Sequence, residues 1–89
     1  MKQVWFLWEG GGFSTRLLLG VFESEVSGLG AMKERAQELK ARRDRWQWKN
    51  CDDGEDLDIS SPGTARRWAL NPEGYDRAEL SLEPEELKP

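Results

Sequence analysis

The sequence predicts an α+β fold: one amphipathic helix packed on a mostly antiparallel sheet of about four to six short strands. Three observations carry this expectation. Several runs of strand length are apolar or alternate apolar with polar residues. One stretch, Leu29–Leu39, places its apolar residues at helical spacing instead. Turn signals rich in Gly, Pro, Asn and Asp separate the runs.

The first strand is expected over Gln3–Glu9, which is rich in aromatic and β-branched residues. Val4, Phe6 and Trp8 share one face and Trp5 and Leu7 the other. Both faces are apolar, so the strand is expected to be central or covered on both sides. Gly10, Gly11 and Gly12 end it, with free access to positive φ. Arg16–Phe22 is a second apolar run, and the two form a hairpin with a wide glycine-rich loop. The helix follows, with Leu29, Met32, Ala36 and Leu39 on one stripe and charged residues around it. Ser24 or Ser27 is the candidate N-cap. Gly28 and Gly30 each cost about 1 kcal/mol relative to Ala in a helix, which moves the expected start toward Gly30.

Short segments complete the chain. Trp46 and Trp48 alternate with Gln47 and Lys49, and Leu57 and Ile59 alternate with polar neighbours as in a half-buried strand. Trp68 and Leu70 point one way, with Arg67 and Ala69 the other way. Ala78, Leu80 and Leu82 share a face of the last strand. Residues 1–82 are read as one small domain. Residues 83–89, acidic and with two prolines, are read as a loosely ordered tail.

Composition narrows the chemistry. The 89 residues hold no His and a single Cys. A Ser-His-Asp or Cys-His nucleophile and a His- or Cys-cluster metal site are therefore excluded. Catalysis is not expected, and no cofactor is implied. The longest apolar run, Val4–Trp8, is far short of the roughly 20 residues that span a bilayer, so a soluble, cytoplasmic protein is expected. The unusual feature is five Trp in so short a chain. Alternation gives Trp8, Trp46, Trp48 and Trp68 plausible inward positions, whereas Trp5 has no evident partner. Trp5, Trp46 and Trp48 are the candidate surface indoles.

Charge is segregated beneath a net −4. Residues 33–49 carry seven bases and three acids, and residues 50–89 carry four bases and eleven acids. Asp52, Asp53, Glu55, Asp56 and Asp58 place five carboxylates within seven residues. Their spacing departs from a calcium loop, because Gly54 comes too early and no Glu follows at the required distance. They read as a solvated hairpin loop, or as an acidic surface facing a nucleic-acid-binding protein where phosphates would dock. Direct binding to nucleic acid is opposed by the net negative charge. A nucleotide site is the alternative. Gly10, Gly11, Gly12 and Arg16 would cradle phosphate, Arg42, Arg43 or Arg45 would add charge, and an indole would stack on the base. The loop lacks the Lys-Ser/Thr and the following helix of a Walker motif, so it also reads as a plain hairpin connection. Cys51 lacks an activating His, although Arg45 or Lys49 would lower its pKa if close.

The order of a short apolar strand, a Gly/Ser loop, the strand end Leu19-Gly20-Val21-Phe22, then Glu23-Ser24-Glu25 and a helix resembles a group of small phage and actinobacterial proteins. The resemblance covers about the first 40 residues. It implies a phage or mobile-element setting and no catalytic residues. It also implies a role in binding host machinery such as a defence effector, in the host cytoplasm. The expected function is thus a non-enzymatic inhibitor acting through an acidic and aromatic surface. The alternatives are a sponge for a nucleotide immune signal and a structural protein that self-associates as a homo-oligomer.

Overall fold

The computed structural model describes residues 2–11, 16–74 and 77–87. Its elements in chain order are β1 (Lys2–Gly10), β2 (Leu17–Phe22), α1 (Glu25–Ala41), β3 (Trp48–Asn50), β4 (Arg67–Leu70) and β5 (Ala78–Leu87). The strands form one antiparallel sheet in the order β2-β1-β5-β4-β3. One helix on one antiparallel sheet is the α+β arrangement that the apolar periodicities call for.

The inner face of the sheet follows from alternation. Leu7 on β1, Ala78, Leu80 and Leu82 on β5, Trp68 and Leu70 on β4, and Trp48 on β3 are all buried in one cluster with Met32, Ala36 and Leu39 of α1. Trp48 and Trp68 meet edge to face, with centroids 6.3 Å apart. Each indole N–H finds a carbonyl: Trp48 Nε1 donates to Ala36 O at 3.3 Å and Trp68 Nε1 to Ala65 O at 3.0 Å. Both rings therefore enter the core without an orphaned donor.

The helix begins earlier than expected. Ser24 is the N-cap, and its Oγ accepts from the Ser27 N–H at 3.1 Å. Gly28 lies inside the helix because α1 approaches the sheet closely there. A Cβ at Gly28 would stand 2.7 Å from Leu82 Cδ1. The propensity cost of this glycine is outweighed by the packing it permits. The buried stripe is accordingly Gly28, Met32, Ala36 and Leu39, with Leu29 only half-buried. Ion pairs fasten α1 to the rest: Arg35 forks onto both carboxylate oxygens of Glu9 on β1, and Arg66 reaches Glu25 at 3.1 Å.

Three further expectations are corrected. Residues 83–87 are not a loose tail, because β5 continues to Leu87 and pairs with β1 down to Lys2. Pro84 is tolerated within this strand. The Leu82 N–H points toward β4 and bonds Arg66 O at 2.9 Å. Alternation turns the nitrogen of Pro84 the same way, beyond the pairing of β4, so its missing N–H costs no ladder bond. Lys88 and Pro89 lie outside the described residues.

Leu57 and Ile59 do not belong to a strand. Asp58 Oδ1 accepts from the Ser60 N–H at 3.0 Å and its O–H at 2.6 Å, which turns the chain. The two apolar side chains reach the core from a loop instead. The glycines after β1 also act differently from expectation. Among the described residues only Gly54 and Gly63 are glycines with positive φ. Gly11 serves close approach: a Cβ there would lie 2.5 Å from Arg77 O. Gly12 lies outside the described residues.

Candidate binding surface

The face of the sheet opposite α1 carries the residues that alternate with the core. They are Phe6 and Trp8 on β1, Glu79, Ser81 and Glu83 on β5, Arg67 and Ala69 on β4, and Lys49 on β3. Two adjoining depressions lie over this face, of about 620 and 250 Å³, sharing Cys51, Arg67 and Glu79. The larger has Ala69 as floor and Trp46, Gly54 and Glu73 among its walls. The smaller is bounded by Trp8, Gly10, Arg16 and Glu83.

Trp46 is not in β3. It follows a turn closed by its own N–H on Arg43 O at 3.0 Å, and Lys40 Nζ holds its carbonyl at 2.7 Å. The residue is 36% exposed, and its ring lies under the Arg45 guanidinium, 5.3 Å from the ring centroid. Trp48, two residues later, is 1% exposed. As a surface residue Trp48 is thus a misreading, because a thin core consumes it. Trp5 is also corrected. It faces the helix side with Leu7 and packs, half-buried, against the core. Its missing partner is the core itself, across from Pro84 of the extended β5. Trp8 occupies the opposite face. Arg16 lies 4.5 Å above its ring and bonds Glu83 at 2.9 Å, so an ion pair roofs the indole.

The acidic loop is exposed at all five carboxylates, Asp52, Asp53, Glu55, Asp56 and Asp58. Their local bonds explain the loop's shape. Asp53 Oδ1 accepts from the Glu55 N–H at 2.9 Å, and Asn50 Oδ1 from the Asp52 N–H at 2.9 Å. Lys49 pairs with Asp56, and Arg67 lies 3.7 Å from Asp52. The hydrogen bond to Asp56 pushes the Lys49 ammonium above its ordinary pKa, and the bonds from Ser60 hold Asp58 below its own. Among the described residues no three acidic or Cys side chains converge as metal ligands would. The sequence reading missed Arg67 and Lys49 as rim residues. Their signal was present in the alternation with Trp68 and Trp48, which sends them to the other face.

The phosphate-cradle candidates are dispersed. Gly10 and Arg16 line the smaller depression, whereas Arg42, Arg43 and Arg45 line neither. Arg42 is the helix C-cap, Arg43 donates to Leu39 O at 3.3 Å, and Arg45 covers Trp46. Cys51 is half-buried, and its thiol is pushed up by burial and by Glu79, against the opposing pull of Arg67. Arg45 and Lys49, expected to lower it if close, have no part in this balance.

No family model, curated protein or solved structure matches the chain. No described helix is long and apolar enough to cross a membrane.

Proposed function

We propose that the chain is a non-enzymatic binding protein whose acidic and aromatic surface docks on a basic surface of a partner protein. The observation that carries this is the exposed Trp46 on the wall of a depression that Gly54 of the acidic loop also lines, the loop's own carboxylates being exposed beside it. A rigid aromatic beside uncovered carboxylates supplies both an anchor and electrostatic steering. The missing His and the high pKa of the Cys51 thiol leave the rim without a strong nucleophile or neutral-pH base. The resemblance expected for the first 40 residues, to small phage and actinobacterial proteins, supports a partner class: a host protein, such as a nucleic-acid-binding defence effector, inhibited by occupation of its basic site.

The test is affinity capture from bacterial host lysate at physiological salt. Wild-type bait is compared with Trp46→Ala and with Asp53→Asn, Glu55→Gln. A protein retained by wild type and lost from both variants supports the reading. Equal retention by all three baits, or none by wild type, overturns it.

A further inference from the structure

We infer that β2 is a self-association edge on which a second copy of this chain adds its own β2, antiparallel, to continue the sheet. The strand lies at the margin of the sheet and pairs only with β1. Among the described residues no backbone bond reaches its outer side. It also exposes apolar side chains in sequence: Leu17 is 65%, Leu18 43%, Leu19 41% and Val21 52% exposed. An edge of this kind, without Lys, Pro or an inward charge, is what a protein normally avoids when the edge stays in water.

Chemistry selects the occupant. The partner strand must be uncharged and apolar along its length, since β2 offers it no counter-charge between residues 17 and 22. It must end in an acid where β2 begins, at Arg16, and begin with a base where β2 ends, at Glu23. An antiparallel copy of Arg16–Glu23 meets both conditions. A two-fold axis normal to the sheet sets Leu19 or Gly20 against its own counterpart. Either register brings Arg16 within one residue of Glu23 of the second copy. Both side chains are more than half exposed, and on pairing each would exchange its present inward partner, Glu83 or Lys2, for the charge of the second copy. The same axis leaves both α1 helices on one side of the joined sheet and both acidic rims accessible. This pairing therefore does not compete with the docking surface proposed above.

Leu19 is the extra residue of a β-bulge, where the register with β1 shifts from Leu7↔Gly20 to Trp8↔Leu18. The bulge adds twist and restricts the new ladder to a few residues about the axis. Association is accordingly weak and concentration-dependent.

The experiment is sedimentation velocity on the full chain between roughly 1 and 500 µM, the span in which weak association is visible. Wild type is expected to shift from one chain to two, and Leu18→Lys and Val21→Lys to remain single with unchanged circular dichroism. A second measurement does not depend on those variants. In a Cys51→Ser background, Leu19→Cys is expected to oxidise to a covalent dimer several-fold faster than Val26→Cys, which is 82% exposed but off the edge. A wild-type chain that stays single overturns the inference and leaves the edge to a foreign apolar strand. Dimerisation undiminished by Val21→Lys, or equal crosslinking at Leu19 and Val26, overturns it as well.

Discussion

The sheet has two edges, and they are finished in opposite ways. β3 is three residues long, carries Lys49, and is covered by the following loop. The Leu57 N–H bonds Trp48 O at 2.9 Å, the Asn50 N–H bonds Glu55 O at 2.9 Å, and Lys49 bridges to Asp56. β2 is six residues long, uncharged, and unpaired on its outer side among the described residues. Its inward anchor is Phe22, half-buried against the core beneath α1. One edge is thus sealed by a loop and sunk into the core through Trp48. The other is held from within by Phe22 and left available. A short edge with a charge and a loop cover is the usual protection against pairing. Its absence from β2 is the observation on which the proposed pairing rests.

Substitutions should separate the two edges, beginning with the largest effect. Trp48→Ala removes a core indole from the sealed edge and should cost about 3–5 kcal/mol in urea unfolding. That is a large share of the stability of a chain this size. A loss near zero would mean that β3 is not anchored as described. Gly28→Ala presses a methyl against Leu82 and the Phe22 ring, 3.5 Å away. It should cost about 1–3 kcal/mol and loosen the hold of α1 on the β2 side. Gly30→Ala meets nothing within 4 Å and should instead stabilise by about 0.5–1 kcal/mol, raising the thermal midpoint. The pair of glycines, two residues apart, sets packing against propensity within one helix turn.

The smallest changes lie at the edges' outer faces. Leu18→Ala on β2 and Asp56→Ala in the loop that covers β3 should each stay within about 0.5 kcal/mol in dilute solution. For Cys51 the folded thiol titrates above its ordinary pKa of 9.0. The folded state then holds its proton longer than the unfolded chain does. Stability from this group is complete below the unfolded value and declines as pH rises through it and up to the folded value. Alkylation of native Cys51 should consequently lag behind that of the unfolded chain at pH 8, and an equal rate would contradict its half-burial.

Much of the fold is legible in the residues. The alternations Trp68/Leu70 and Ala78/Leu80/Leu82 and the spacing Met32, Ala36, Leu39 each name a buried face, and each is buried in one cluster. The ends of elements are less legible. Glu83–Leu87 looks like a tail because proline and acids depress strand propensity, and only the free β4 side of Pro84 makes the strand possible. Leu57 and Ile59 carry a strand pattern, yet local Asp58–Ser60 hydrogen bonds turn the chain. The surface was half legible. The acidic loop is exposed as its composition suggests. The indoles are not distinguishable by type, and alternation cannot say which face a helix will cover.

The sequence by itself determined the fold class, the absence of His chemistry, the apolar stripe of α1, and an acidic segment after Asn50. These follow from local periodicity and composition, which act over a few residues. Tertiary structure alone decided that Trp5 and Trp48 belong to the core side while Trp46 stays exposed, and that Trp8 lies under Arg16. It alone assigned Gly28 to packing and left β2 as the uncovered edge. These depend on which strand pairs with which and where one helix comes to rest, contacts between residues far apart in the chain that no local pattern specifies.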